Sequence, residues 1–443
     1  MQHLEAWTLI PFAVMLFVIA VAPLAVGKIW EKNVNKLIFV LLLSIPTAAY
    51  MAYIGLGDKI IDQIFYDYLP FIVLLGALFV VTGGIHISYN MTATPLINTL
   101  VLFIGFNVAS FMGTTGAAML LIRPLLEINK SRQYKAHTIC FFIALVANCG
   151  GMLSPLGDPP LFLLYLRGAS FDWFRSMFPE WAVVGGLLLI IYHLLDSYYF
   201  RKERRLLAGD NAAKVAGDDD EEADESLRLS ASGVVNIFYL MAVVTVVAFV
   251  NTSYIPAMGA EDAPLYMKFL REIILVGIIL LSLWTTKKRV RRENNFSWEP
   301  ITEVAVLFIG IFTTMTPAMI FLNAHATSLG LSEPWQFFYA TGALSSFLDN
   351  APTAVAFHTV ATGLPIAEGA TLVAGVPQTM LRAIALGSVF FGAMTYIGNG
   401  PNFMVKAIAE KAGVKMPSFF GYMFKFSLII LLPIYVIMQL IFF

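Results

Sequence analysis

The sequence predicts an all-α polytopic membrane protein made of two inverted five-span repeats, each with a re-entrant hairpin and a broken helix. Three observations predict it. Of 443 residues, 58% are hydrophobic and only 13% are charged, about half the charged share of an ordinary soluble domain, and the mean hydropathy is +0.77. Apolar stretches near or above the ~20 residues needed to cross a ~30 Å hydrocarbon core follow one another along the whole chain. Segments interrupted by Gly and Pro recur in the same order in both halves.

The first repeat is expected over 1–202, with spans at 8–27, 36–55, 69–88, 138–166 and 178–200. The N-terminal MQHLEAW carries no basic segment, so the first apolar run reads as a retained span rather than a signal peptide. Residues 94–123 are apolar but broken by Gly, Ser, Thr and Asn, and read as a hairpin. Irregular backbone at membrane depth needs protein or a cavity around it. Residues 138–166 read as a broken helix. Cys140 and Cys149 share this apolar stretch, so no disulfide framework is expected.

A cytoplasmic linker is expected over 203–230, where the acidic run Asp218 to Glu222 reads as a solvated connection. The second repeat is expected over 231–443, with spans at 233–252, 268–286, 301–322, 379–408 and 418–443. Its hairpin falls at 335–361 and its broken helix at 379–408.

Basic residues in short loops mark the cytoplasmic side. They cluster at Lys28, Lys32 and Lys36, at Arg123, Lys130, Arg132 and Lys135, at Arg201 to Arg205, at Lys287 to Arg292, and at Lys406, Lys411 and Lys415. The opposite connections carry Asp58, Asp62 and Asp67, then Glu261 and Asp262. One count satisfies every sign: five full spans per half, both termini periplasmic, the linker cytoplasmic, the membrane an inner membrane. A half with five spans forces its partner to be inverted.

The repeat is visible in three alignments. SFMGTTGAA (110–118) lies over SFLDNAPTA (346–354), a shift of 236. LSPLGDPPLF (153–162) lies over MTYIGNGPNF (394–403), a shift of 241. LLGALFVVTG lies over LFIGIFTTMT with Gly76 on Gly310, a shift of 234. Paired breaks of this kind point to a midplane site, because a broken helix exposes carbonyls to a cation and its restarted N-terminus suits an anion.

Side chains supply the chemistry. Thr114 and Thr115 stand at the first hairpin tip, and Asn148, Ser154 and Asp158 on the first broken helix. Ser345, Ser346, Asp349, Asn350 and Thr353 flank the second hairpin break, and Thr395, Asn399 and Asn402 the second broken helix. Carboxylate, hydroxyl, amide and carbonyl oxygens suit a hard cation such as sodium, so Asp349, Asn350 and Asp158 are the expected sodium ligands. An ionisable residue at this depth costs about 2.5–3.5 kcal/mol even on a lenient scale. Asp158, before Pro159-Pro160, reads equally as a helix cap. Asp349 reads as the ion- or proton-binding group. His358 reads as a packing residue, Arg123 and Arg382 as snorkelling side chains, and Glu303 as a first-turn helix charge. Thr82 and Thr316, related by a shift of 234, fit a pathway or plain helix packing.

At SSFLDNAPTA (345–354), NCGGMLSPLGDPP (148–160) and YIGNGPNFMVK (396–406) the chain resembles the ion-transporter superfamily. That superfamily includes NhaD-type sodium/proton antiporters, ArsB-type arsenite carriers, citrate carriers and dicarboxylate/sodium symporters. The resemblance covers nearly the whole chain. It implies two hairpins, two broken helices, a scaffold with a moving transport domain, and a homodimer. The tips Gly113-Thr114-Thr115 and Asp349-Asn350-Ala351 differ from the Ser-Asn-Thr signature of the dicarboxylate branch. Pro159-Pro160 differs from the more polar run of the antiporter branch.

Two carboxylates with no basic residue among the candidate ligands favour a cation. The leading expectation is sodium (or lithium)/proton exchange, with both ions competing for Asp349 and Asp158. Cation-coupled uptake of citrate or another carboxylate is the alternative. A channel, or an intramembrane enzyme using the two Asp as an acid pair, fits the paired breaks less well. Membrane lipid, a small inorganic cation and a small carboxylate are the partners expected. No nucleic acid, and no cofactor beyond transported sodium or protons, is expected.

Overall fold

A computed structural model describes residues 4–30, 32–90, 92–211, 228–260 and 262–443. It is helical almost throughout. Among the described residues eight helices are long and apolar enough to cross a membrane. The acidic run of the linker and Glu261 lie outside the described residues.

The first half contains α1 (Ile10–Ala25), α2 (Asn33–Tyr53), α3 (Leu69–Thr82), α4 (Pro95–Met112), α5 (Thr114–Ile128), α6 (Ala136–Leu145), α7 (Pro159–Leu166) and α8 (Phe178–Asn211). The second contains α9 (Val235–Phe249), α10 (Leu270–Thr285), α11 (Glu299–Ala324), α12 (Pro334–Ser345), α13 (Asn350–Thr362), α14 (Gln378–Phe391), α15 (Gly400–Lys411) and α16 (Leu432–Phe442). A short antiparallel ladder pairs His86–Asn90 with Arg228–Ser232, tying the end of α3 to the start of the second half.

Some expected boundaries move, each for a physical reason. The third span begins earlier: a helix at Gly57–Asp62 and a π-turn at Gln63–Tyr68 lead directly into α3. Asp58, Asp62 and Asp67 are therefore helical, and Asp67 is paired with Arg167 at 2.9 Å. The first hairpin starts where expected but its second arm overruns 123, because α5 continues to Ile128. Residues 203–211, expected in the linker, continue α8, since the Glu, Arg, Leu and Ala of 203–208 are good helix formers.

Two packing groups emerge. In one, α11 lies along α1 and α2, while α3 packs with α9 and α10. Close approach of α11 requires Gly310, where a Cβ would fall 2.7 Å from Met15 and 2.8 Å from Val40. The other group contains the hairpins and the broken helices. Here α4 packs on the break that follows α6, and α12 packs along α14. Across the halves, α13 packs on α7 and α15 on α5. Each hairpin thus lays its second arm on the restarted helix of the other half.

Arg132, counted as a loop charge, is instead buried: it bonds Asp196 at 2.8 Å and Glu203 at 2.5 Å. His137 and Asn98 complete the Asp196 carboxylate. Hydrogen bonding by all these groups offsets their desolvation and joins the hairpin to α8.

Candidate functional site

The two breaks share one local design. After α6 the chain makes a 3-10 turn, Cys149–Leu153, and restarts at α7; after α14 it makes Gly392–Met394 and restarts at α15. Ser154 Oγ donates to the Ser110 carbonyl and accepts from Leu156 N at 3.1 Å. Thr395 Oγ1 donates to the Ser346 carbonyl and accepts from Ile397 N at 3.2 Å. These partners are related by the same shifts of 236 and 241 that align the motifs. Each loop folds back on itself at a glycine. A Cβ on Gly157 would lie 1.8 Å from the Gly151 carbonyl, and one on Gly398 2.7 Å from the Gly392 carbonyl. Asp158 and Asn399 then occupy equivalent extended N-cap positions, at φ −146°, ψ 146° and φ −148°, ψ 140°.

Around Asp158 the two halves meet. Its Oδ1 accepts from Thr114 Oγ1 at 2.6 Å and from Asn399 Nδ2 at 3.0 Å. Its Oδ2 accepts from Asn350 Nδ2 at 2.5 Å. Asp158 stands at the N-cap, yet its side chain makes no capping bond and is only 2% exposed. Its carboxylate is turned instead to the hairpin tips and the opposite break. Asn148 forms the next layer, donating to Asn402 Oδ1 at 2.7 Å and lying 3.2 Å from Asn399 Nδ2. Asn402 in turn donates to the carbonyls of Gly392 and Thr395, at 2.7 and 2.9 Å. Asn350 Oδ1 is buried with no partner.

Asp349 is placed differently. It is the N-cap of α13, and its Oδ1 accepts from Ala351 N at 3.0 Å. It lies on the wall of a cavity of about 540 Å³ between the two packing groups. Thr114, Thr115, Pro159, Asn399 and Gly400 line the same cavity, so the starts of α5, α7, α13 and α15 converge there. Helix N-termini carry partial positive charge, which offsets the carboxylates nearby. Gly113 makes the sharp entrance to α5 at φ 79°, a conformation open to glycine. Among the described residues no ion pair involves Asp158 or Asp349. No three His, Cys, Asp or Glu side chains among them converge on a common metal position.

Thr114, Asn148, Asp158, Asn350, Asn399 and Asn402 are thus joined in one hydrogen-bonded cluster, with Thr115 and Asp349 on the cavity beside it. The remaining expected residues turn to the backbone. Ser345 Oγ donates to the Ser388 carbonyl at 2.6 Å, Ser346 Oγ to Gly342 at 2.9 Å, and Thr353 Oγ1 to Asp349 at 2.8 Å. Ser154 and Thr395 clip each break to its hairpin. Thr82 and Thr316 bond the carbonyls of Leu78 and Phe312 within their own helices. His358 is buried, with Nε2 2.9 Å from the Ala374 carbonyl.

Three charges differ from expectation. Arg382 does not snorkel: it pairs with buried Glu180 at 3.1 Å and bonds Ser176 at 3.2 Å. Glu303 lies beyond the first turn of α11 and pairs with Lys36 at 2.6 Å. Lys36, read as a loop charge, is 3% exposed in the first turn of α2 and lines the cavity. No motif contains Lys36 or Glu303; the only sequence signal was a charge of each sign at the edge of an apolar run.

No curated protein matches the chain. The profile of a family described as putative citrate transport matches residues 1–443, its entire length. The multi-pass helical architecture, the convergent breaks and that full-length match agree on a transporter rather than an enzyme, and the chain belongs to the putative citrate transport family.

Proposed function

We propose that the protein is a secondary active transporter exchanging sodium or lithium for protons, with Asp349 as the exchanging carboxylate and Asp158 as its buried support. The observation that carries this reading is Asp349 itself. It faces the cavity, has one backbone N–H as partner, and has no basic side chain to neutralise it among the described residues. An unpaired carboxylate at membrane depth takes up either a proton or a cation, and competition between them suffices for antiport. Thr114, Thr115 and the carbonyls of the breaks offer further oxygen ligands. In this reading the repeats are inverted, the hairpins re-entrant and the motion a rocking of one packing group against the other. The protein works as an inner-membrane homodimer with both termini periplasmic, in the manner of NhaD-type antiporters.

Cation-coupled uptake of citrate or a related carboxylate is the second reading. The family description and the four helix N-termini at the cavity favour it, because such termini bind carboxylate groups. Proteoliposomes carrying a pH-sensitive dye separate the two. Proton movement on adding sodium or lithium alone, lost in Asp349→Asn, supports antiport. A signal that needs sodium and citrate together sinks antiport in favour of symport.

A further inference from the structure

The wall opposite Asp349 carries the only ion pair that lines this cavity among the described residues. Lys36 of α2 holds its ammonium 2.6 Å from Glu303 Oε1 and 3.4 Å from Asn33 Oδ1. The two partners are unequally buried: the Lys36 side chain is 4% exposed and that of Glu303 38%. The lysine is tucked behind the carboxylate, which meets the open space. Glu299, one turn earlier on the same face of α11, also lines the cavity.

The pair adds little stability. Burying the lysine costs about as much as its attraction to a partly exposed carboxylate returns. The α2–α11 contact closes through Val40 over Gly310 without it. Electrostatics gives it a purpose. A bare ammonium here would repel an inorganic cation and attract an anion throughout a low-dielectric cavity.

We propose that Lys36 and Glu303 set the charge selectivity of the cavity, with Glu303 neutralising a lysine that would otherwise admit anions and exclude cations. The inference rests on the cation reading above and names two residues outside its motifs. Neither residue exchanges the ion. Both act through the field they impose on the cation held near Asp349.

The test is the KM for sodium of proton-coupled flux in proteoliposomes, measured for Glu303→Gln, Lys36→Met, the double variant and Glu303→Asp. Glu303→Gln should raise KM about tenfold while kcat changes less than about twofold, the order expected of one uncompensated charge on the wall of the cavity. The double variant should return KM toward the wild-type value, and Glu303→Asp should keep it. A merely structural pair would instead lower kcat in every variant, with no recovery in the double. Unmoved KM in all variants of an exchanging protein overturns the pair alone. A wild type that moves no protons on sodium addition overturns the cation reading and the pair with it.

Discussion

Asp158 and Asp349 stand at related places in a repeated framework and do opposite things. The first half puts its carboxylate on the broken helix and a threonine at the hairpin tip. The second puts its carboxylate at the hairpin tip and Asn399 on the broken helix. Asp158 is saturated by Thr114, Asn350 and Asn399, two of them from the other half. Asp349 caps its own helix with one oxygen and faces the cavity. One backbone design thus carries a carboxylate that fastens the halves together and another that faces the cavity.

Substitutions can break this contrast. The largest effect is expected for Asp158→Leu. It strands three buried donors, each costing about 1–3 kcal/mol, so the loss should be about 3 kcal/mol or more. A markedly lower melting temperature in detergent would register it, with exchange lost as a consequence. Asp349→Asn should leave the melting temperature within a few degrees of wild type and still abolish sodium-driven proton movement. If both variants melt alike, the division of labour is wrong.

Moving the carboxylate sharpens the comparison. Asp158→Asn combined with Asn399→Asp exchanges the two N-caps, which lie within hydrogen-bond distance. The pair should recover at least half of the stability lost in Asp158→Asn alone, read from the same melts. No recovery would mean that the two N-caps are not equivalent in chemistry, whatever their backbone.

The glycines of the breaks give a smaller, graded effect. Gly157→Ala drives a methyl into the Gly151 carbonyl and should cost about 1–3 kcal/mol. Gly398→Ala meets its carbonyls at 2.6–2.7 Å and should cost less. Equal losses would show that the second break is as tight as the first. The smallest change is expected for Ser154→Ala and Thr395→Val, each removing a hydroxyl that donates one hydrogen bond and accepts another, about 1–2 kcal/mol in all. Near-equal shifts in melting temperature would support the equivalence of the two clips.

Much of this was legible along the chain. Span positions follow from apolar length, and the breaks from Gly, Pro and small polar residues set in apolar runs. Ser154 and Thr395, which the shift of 241 aligns, make matching hydrogen bonds to Ser110 and Ser346, which the shift of 236 aligns. The cluster was legible only in composition. Asp349 and Asn350 are neighbours, but Asn350 turns to Asp158, a residue 192 positions away. Adjacent residues at a helix start face different directions, so spacing could not separate the cavity carboxylate from the buried one. Lys36 and Glu303 were harder still, since nothing local distinguishes a snorkelling boundary charge from a buried partner.

By itself the sequence determined the solvent, the helical class and the residue types from which an ion site could be made. Those follow from local rules: the length needed to cross the bilayer, the conformations that glycine and proline impose, and the cost of a charge at depth. The tertiary structure alone decided that the halves interlock, with each hairpin on the other half's restarted helix. Only then does one aspartate become a fastener, the other a cavity wall, and a boundary lysine the buried partner of Glu303 on the same cavity. Such roles depend on which groups end up within about 3 Å of one another, and across 192 residues of chain only packing sets that distance.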